Sequence, residues 1–340
     1  MKVLFIGGTG TISTAIVKRC VEVMHWDVWV LNRGKRPEVL PEGVHTLTVD
    51  IGDEEKAAAL LAEHRFDTVC EFIGFVPAQV ERDWRLFRGK TGQYIYISSA
   101  SAYHKPAADW RITEGTALAN PHWAYSRNKI ACEAFLMEKY REEGFPVTIV
   151  RPSHTYDERS IPMGVHGNGG SWQVIRRMQA GKPVIVQGDG SSLWTLTFNS
   201  DFAVGFTGLM GNRHAIGEAF QITGDETLTW DQIYRTVADA LGVEARLCHV
   251  ASDWLAEAGK KEGYDFEGSL VGDKSVCVVF DNAKLKRLVP DMCTTVPFHL
   301  GVRRCLDYIQ AHPECQVEDP VFDAWCDRVI AAQEAAKALV

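Results

Sequence analysis

The chain of 340 residues has no long uninterrupted hydrophobic segment. Its first apolar run, residues 3–6, stops at two glycines, and no later run reaches the roughly 18 apolar residues that a membrane-spanning helix needs. The first run is also too short for the apolar region of a secretory signal peptide. We therefore expect a cytoplasmic protein without a membrane partner.

Cysteines in a paired spacing are also missing. The nine cysteines are odd in number and scattered along the chain, and none forms a C-x-x-C pair. Neither a disulfide framework nor a zinc site is therefore indicated. We expect reduced, mostly packed thiols and no metal site.

The sequence has no excess of positive charge. Its 36 Lys and Arg residues stand against 44 Asp and Glu residues, which gives a formal net charge of -8. Binding to a phosphate backbone depends on clustered Lys and Arg side chains. Nucleic acid is therefore not an expected partner, and we expect a small molecule instead.

Short apolar runs alternate with helical patterns in the first half of the chain. Such alternation predicts an α/β fold with a doubly wound parallel sheet of the Rossmann type. Beyond residue 153, glycine-rich and tryptophan-containing loops indicate a second, smaller lobe, and residues 321–340 have helical spacing. Strands are predicted at residues 2–6, 26–31, 44–49, 68–73, 93–97 and 147–150, and helices at residues 53–64, 79–87 and 123–143.

A glycine-rich loop follows the first predicted strand and precedes the first helix, the position that a dinucleotide-binding motif occupies. Three glycines within four positions are costly in a plain turn unless another group must come close. Ser13 stands where a third motif glycine is usual. We predict that the cofactor contacts Gly7, Thr9, Gly10, Thr11 and Ile12.

The second predicted strand is followed by Asn32 and Arg33, where an NAD enzyme usually has an acidic residue for the ribose hydroxyls. Cationic side chains suit the 2'-phosphate of NADP, so we predict an NAD(P) cofactor with NADP(H) favoured over NAD(H). Lys35 and Arg36 are further cations after Arg33, but a solvated charged loop explains these two residues equally well. The preference therefore depends on Asn32 and Arg33.

The third strand is followed by Asp50 and Ile51, which are placed to bracket an adenine ring. An acidic helix cap explains Asp50 equally well. We expect five further residues near strand ends to line the cofactor site, because strand ends of such a sheet face the cofactor crevice. These residues are Phe72, Ile73, Gly74, Ser98 and Pro152.

Tyr125 and Lys129 are spaced i, i+4 on a long predicted helix and therefore project from one face. A lysine ammonium and a nicotinamide cation would lower the pKa of the phenol, so that it could shuttle a proton. Ser99, at the end of the fifth strand, would hold the substrate oxygen, and Lys129 would also hold the nicotinamide ribose. The alternative is a half-buried aromatic residue beside a solvent-facing charge.

These motifs together resemble the extended short-chain dehydrogenase/reductase superfamily, the group that includes UDP-galactose 4-epimerase. The resemblance includes Ser99 about 26 residues before Tyr125, the Arg151-Pro152 pair, and the Gly188-Asp189-Gly190 segment. It implies an NAD(P)-binding domain and a smaller substrate-binding lobe. The first would comprise residues 1–153 with 195–224 returning to it, and the second residues 154–194 and 225–340.

The chain also resembles the chloroplast stem-loop-binding branch of that superfamily. The resemblance is carried by residues 32–35, 93–96, 180–183 and 209–212. That branch contains RNA-associated proteins whose catalytic set has decayed, whereas this chain retains Ser99, Tyr125 and Lys129. We therefore interpret the chain as an enzyme and keep a non-catalytic nucleic-acid-binding protein as an alternative.

The chain departs from the nucleotide-sugar epimerase pattern at two substrate positions. Trp194 replaces the arginine that binds the substrate diphosphate, and His154 replaces an asparagine. We expect Ser101, His154 and Trp194 to contact substrate. Tyr156, His166 and Trp172 would complete an aromatic cleft or belong to the core, and Arg176 and Arg177 would either replace the missing arginine or lie in solvent.

The sequence thus predicts an NAD(P)-dependent oxidoreductase or epimerase acting on a secondary alcohol or ketone of a sugar-like substrate. A nucleotide-sugar 4-epimerase is the alternative within the same superfamily. A dehydratase is less favoured, because Ala100 and Ser101 do not provide the acidic pair of that group. A homodimer is a further expectation.

Overall fold

The computed structural model describes residues 1–35 and 40–339. The strands are β1 (Lys2–Ile6), β2 (Asp27–Asn32), β3 (His45–Thr48), β4 (Thr68–Glu71), β5 (Tyr94–Ile97), β6 (Val147–Pro152), β7 (His154–Tyr156), β8 (Val184–Gln187), β9 (Leu193–Phe198), β10 (Ala219–Ile222), β11 (Thr227–Thr229) and β12 (Leu247–Val250). The α-helices are α1 (Thr11–Glu22), α2 (Glu54–Leu60), α3 (Pro77–Phe87), α4 (Ala124–Glu143), α5 (Trp172–Gln179), α6 (Asn199–Leu209), α7 (Trp230–Leu241), α8 (Ser252–Lys260), α9 (Ala283–Leu288), α10 (Phe298–Ala311) and α11 (Pro320–Lys337). A π-helix spans Glu267–Lys274.

The larger lobe is built on a seven-stranded sheet in the order β10-β6-β5-β4-β1-β2-β3, and every pairing in it is parallel. Apolar side chains of α1 and α6 cover one face of the sheet, and those of α2, α3 and α4 cover the other. The predicted doubly wound α/β fold is therefore confirmed. Strand order reverses between β1 and β4, where such sheets bind their ligands.

The six strands and three helices predicted before residue 153 all form, with shifted ends. The largest shift is in α2, which ends at Leu60 rather than at residue 64. Tight i to i-3 contacts replace helical hydrogen bonds there: the Ala62 amide donates to the Ala59 carbonyl, and the His64 amide to the Leu61 carbonyl. Asp53 accepts a hydrogen bond from the Lys56 amide and caps the start of α2.

The smaller lobe contains a three-stranded sheet in the order β11-β9-β7 and a two-stranded sheet of β12 and β8. Helices α5, α7, α8, α10 and α11 share one apolar core with these strands, and Trp194, Trp230 and Trp325 are among its buried residues. The predicted C-terminal helix forms as α11 and buries Phe322 and Trp325 in this core.

The chain returns to the larger lobe after β9. Strand β10 pairs with β6 at the edge of the seven-stranded sheet, and α6 packs against α1. Strand β9 pairs with β7 and β11 in the smaller sheet instead. No described helix is both long enough and apolar enough to span a lipid bilayer.

Candidate active site

A crevice of about 840 Å³ opens at the carboxyl ends of the parallel strands. Its lining includes nearly all of the residues that the sequence predicts for cofactor binding: Gly7, Thr9, Gly10, Thr11, Ile12, Asn32, Arg33, Asp50, Ile51, Phe72, Ile73, Ser98, Tyr125, Lys129 and Pro152. Gly74 does not line the crevice, and its carbonyl oxygen instead accepts hydrogen bonds from Lys129 Nζ and the Tyr96 hydroxyl. Lys35 lines the crevice as well, whereas Arg36 lies outside the described residues.

The glycine loop has the close packing that its composition predicts. Gly7 has a φ of +85°, and a Cβ there would lie 2.5 Å from Ile73 Cγ2, so only glycine fits. Ser13 is buried, donates to the Gly7 carbonyl at 2.9 Å and accepts from the Gly10 amide at 2.9 Å. Ser13 thus closes the loop, and the first amides of α1 are left to face an anion.

These features fit a bound dinucleotide. The Ser98 hydroxyl is buried and has no hydrogen-bond partner among the residues that the structure describes, although Ser98 lines the crevice. Buried polar groups are normally paired, so a ligand is the expected partner. At the end of β2, the Asn32 side chain accepts from the Gly34 amide at 2.7 Å and orders the backbone beside the exposed Arg33.

Lys129 is almost completely buried on α4. Its ammonium donates to the carbonyl oxygens of Gly74 and Ile97, each at 2.7 Å, and lies 5.7 Å from the centre of the Tyr125 ring. An ammonium has three N–H groups, so one remains for a ligand in the crevice. Burial lowers the pKa of Lys129 to about 8, and the ammonium therefore still predominates at neutral pH.

The electrostatics of Tyr125 differ from the sequence expectation. Burial raises the pKa of the phenol above its ordinary value, the nearby Ser99 hydroxyl opposes that rise, and the Asp273 carboxylate adds to it. Lys129 is not one of the groups that shift this pKa. The residues of the chain alone therefore keep Tyr125 protonated at neutral pH.

Three serines form a hydrogen-bonded chain beside Tyr125. The Ser126 hydroxyl donates to Ser101 Oγ at 2.7 Å, and the hydroxyls of Ser101 and Ser99 lie 2.8 Å apart. The Ser101 amide also donates to Ser99 Oγ at 3.1 Å. Ser99 is consequently held in place at the end of β5. Ser101, which we predicted to touch substrate, also positions Ser99.

A second cavity of about 270 Å³ adjoins the crevice, and Tyr125 and Pro152 line both. Ser99, which the sequence predicts to be catalytic, and the predicted substrate residues Ser101, His154 and Trp194 line this cavity. Sequence reasoning missed several residues of its wall: Lys105, Trp123, Asp273, Lys274, Val278 and Phe280. They come from the loop after β5, the residue before α4 and the segment around the π-helix, and no local motif marks them.

His154 and Trp194 are hydrogen-bonded partners. The Trp194 indole Nε1 donates to His154 Nδ1 at 3.3 Å, so the neutral imidazole carries its proton on Nε2. Burial, with smaller effects of Lys274 and His166, lowers the pKa of His154 to about 3. His154 is therefore uncharged throughout the physiological range.

The remaining residues of the predicted aromatic cleft lie elsewhere. Tyr156 is buried against Phe198 and Phe298, and Trp172 lines a separate surface cavity. Arg177 is buried and forms ion pairs with Asp323 and Asp327 of α11, and Arg176 lies near Glu318. Arg177 is therefore paired within the chain rather than exposed to solvent, whereas Arg176 is exposed, and neither arginine lines the substrate cavity. His166 does not line the cavity.

Comparisons with known proteins are consistent with this architecture. Residues 3–223 match the NAD dependent epimerase/dehydratase family, which is more than half of the chain. The chain is 27% identical over 290 residues to a 2'-dehydrokanamycin reductase of Streptomyces kanamyceticus, covering 85% of this chain and 79% of that protein. It is also 27% identical over 279 residues to the chloroplast stem-loop binding protein of 41 kDa b of Arabidopsis thaliana, covering 78% and 70%.

Solved structures show the same fold at low sequence identity. A UDP-glucose 4-epimerase of Thermotoga maritima with UDP-glucose has a TM-score of 0.72 and 19% identity, covering 92% of this chain and 99% of that one. A UDP-glucuronic acid 4-epimerase of Bacillus cereus in complex with NAD has a TM-score of 0.71 and 17% identity, with the same coverage. The sequence match and the fold together show that the chain belongs to the NAD dependent epimerase/dehydratase family, as an enzyme of the extended short-chain dehydrogenase/reductase type.

Proposed function

We propose that the protein is an NAD(P)-dependent oxidoreductase or epimerase that acts on a secondary alcohol or ketone of a sugar-like substrate through Ser99, Tyr125 and Lys129. One observation carries the proposal: Tyr125 lines both the dinucleotide-sized crevice and the adjoining smaller cavity. A proton-transferring group at that boundary contacts a substrate at the point where it meets the cofactor.

Each side chain has a distinct task in this mechanism. The Tyr125 hydroxyl donates a proton to a carbonyl oxygen in reduction, or accepts one from an alcohol in oxidation. Ser99 Oγ holds the same substrate oxygen, and the serine chain keeps Ser99 oriented. When bound, a nicotinamide cofactor would supply or take up the hydride.

Lys129 lines the cofactor crevice beside Tyr125. Its third N–H is available to a ribose hydroxyl, while two backbone carbonyls hold the ammonium in place. Because burial raises the pKa of Tyr125, a phenolate requires positive charge in addition to Lys129. Proton removal by Tyr125 is therefore expected only in the cofactor-loaded protein.

For the cofactor we propose NADP(H) rather than NAD(H). Arg33 lines the crevice at the end of β2 and is exposed, so its guanidinium is free to approach a 2'-phosphate. A guanidinium forms charge-assisted, bidentate hydrogen bonds with a phosphate.

A nucleotide-sugar 4-epimerase is the second candidate, favoured by the two lysines in the substrate cavity. The cavity volume of about 270 Å³ opposes it, because typical ligand pockets occupy about 300–1,000 Å³ and a nucleotide sugar is a large ligand.

The test combines turnover with cofactor binding. Purified protein would be incubated with NADP⁺ or NAD⁺ and free hexoses, uronic acids, glycosides or UDP-sugars, while nicotinamide reduction and sugar epimerisation are followed. We expect turnover of a sugar that is lost in Ser99→Ala and Tyr125→Phe. Tight binding of a structured RNA without turnover of any sugar would instead support the stem-loop-binding alternative.

A further inference from the structure

Lys274, at the end of the π-helix, is a buried cation in the wall of the substrate cavity. Its side chain is about nine-tenths buried and lines the cavity with Ser99 and Tyr125. Its ammonium lies 3.3 Å from the Ser269 carbonyl oxygen. Within residues 1–35 and 40–339, no carboxylate oxygen lies within 4 Å of it.

None of the other charged groups of the cavity wall forms a direct ion pair with Lys274 among the described residues. Lys105 and Asp273 form a largely buried ion pair with each other. His154 is neutral because burial lowers its pKa. The carboxylates of Asp273 and Asp265 stabilise the Lys274 charge only from beyond ion-pair distance, so the buried ammonium has no direct partner of opposite charge, which is costly. Burial correspondingly lowers the pKa of Lys274.

The structure holds Lys274 in a defined position relative to Tyr125. The buried Trp230 indole donates to the Lys274 carbonyl at 3.0 Å. At the other end of the π-helix, Gly268 packs so closely on the Trp123 indole that a Cβ would clash with it. Trp123 immediately precedes α4, which carries Tyr125. π-helical segments occur frequently at functional sites.

From this placement we propose that Lys274 binds a carboxylate of the substrate, so that the enzyme acts on a small sugar acid. The inference rests on the function proposed above and specifies its substrate class. The reacting hydroxyl or carbonyl would lie at Ser99 and Tyr125, and the carboxylate at Lys274. The cavity of about 270 Å³ suits one monosaccharide unit. The positive charge of an amino sugar would be repelled by the Lys274 ammonium, which has no direct ion-pair partner.

The experiment compares three hexose derivatives of different charge: D-glucuronate, D-glucose and D-glucosamine. Their dissociation constants would be measured by calorimetry with wild-type protein saturated with NADP⁺. A charge-assisted hydrogen bond contributes about 1.5–3 kcal/mol, so we expect glucuronate to bind roughly 10- to 100-fold more tightly than glucose, and glucosamine most weakly. In Lys274→Met and Lys274→Gln, glucuronate and glucose should bind with about equal affinity.

Lys337→Met is the matched control, because it removes the same charge from an exposed position of α11 in the smaller lobe. It should retain the preference for glucuronate, and thermal unfolding would verify that all variants are folded. Equal binding of glucuronate and glucose by the wild type, or a preference that survives in both Lys274 variants, would overturn the inference. So would binding of UDP at micromolar concentration that depends on Lys274, since it would assign a phosphate to this cation.

The proposed function can be refuted independently of this inference. It predicts NADP⁺ binding and a dependence of turnover on Tyr125, neither of which involves Lys274. Absence of NADP⁺ binding and of turnover, together with Lys274-dependent binding of glucuronate to the cofactor-free protein, would refute the function and leave the acid site standing.

Discussion

The side-chain amide nitrogen of Asn120 donates a hydrogen bond of 2.8 Å to the carbonyl oxygen of Gly272. The same nitrogen donates to the Ser101 carbonyl at 3.0 Å, and Asn120 Oδ1 accepts from the amides of His122 and Trp123. One buried side chain thus joins the serine loop after β5, the start of α4 and the π-helix. These are three of the segments that line the substrate cavity.

Asn120→Ala should therefore disturb both stability and the site. Removal of the amide leaves buried backbone groups without partners, which typically costs about 1–3 kcal/mol for each group. We expect a lower denaturant midpoint and a higher KM for the sugar. The control is Asn212→Ala, which removes the cap of a short 3₁₀ turn at Arg213–Ala215. A similar increase in KM for both variants would show that Asn120 has no specific role.

Tyr125→Phe should reduce turnover by about 100- to 10,000-fold, the usual contribution of a general acid or base, while cofactor affinity remains nearly unchanged. Steady-state kinetics and fluorescence titration with NADPH measure the two quantities. Tyr140→Phe on the same helix removes a hydroxyl that lines neither cavity and should leave turnover unchanged. Full activity of Tyr125→Phe would contradict the mechanism.

Lys129→Met should weaken turnover and cofactor binding together, because one ammonium serves both. It should also change the pH dependence of stability. Below about pH 8, Lys129 is protonated in both the folded and the unfolded protein, so the full cost of burying its charge lowers the free energy of unfolding. Between about pH 8 and 10.5 the folded protein releases the proton first, so wild type gains stability relative to Lys129→Met by up to about 3 kcal/mol.

Urea unfolding of both proteins at pH 7 and pH 10 measures this difference. Subtracting the two curves cancels the titration of groups that the proteins share. A constant difference between wild type and variant would mean that the pKa of Lys129 is not lowered in the folded state.

His154→Gln should leave the shape of the pH-rate profile unchanged between pH 5 and 8. The folded-state pKa of His154 is about 3, so the imidazole does not titrate in that interval. The size of kcat/KM should fall modestly, because the partner of the Trp194 indole changes. An inflection near pH 6 that is present in wild type and absent from the variant would identify His154 as a proton-transfer group instead.

Arg33→Ala should weaken the binding of NADP(H) by roughly 10- to 100-fold and the binding of NAD(H) much less, because only NADP has a 2'-phosphate that the guanidinium can bind. Lys35→Ala, which removes the next cation lining the crevice, measures how much of the preference is nonspecific charge. Equal weakening of both cofactors by Arg33→Ala, or tighter binding of NAD⁺ by the wild type, would refute the NADP preference.

The sequence alone determined the features that depend on local geometry. The glycine loop could be recognised because the backbone at Gly7 needs a conformation that only glycine adopts readily, and Tyr125 and Lys129 because i, i+4 positions share a helix face. Alternating strands and helices predicted the parallel sheet, since each crossover between parallel strands needs a helix. These patterns lie within a few residues of one another.

Only the tertiary structure decided which distant residues complete the site. Lys274 lies about 150 positions after Tyr125, and neither it nor Asp273 belongs to a motif, yet the packing of the π-helix against Trp123 places both in the substrate cavity. By sequence Arg177 is either a phosphate ligand or a solvent-exposed residue, whereas in the folded chain it is buried and paired with Asp323 and Asp327 of α11. Burial, which raises the pKa of Tyr125 and lowers that of Lys129, is likewise a property of the packed chain. Desolvation and long-range pairing depend on which segments meet in space, and local sequence patterns do not contain that information.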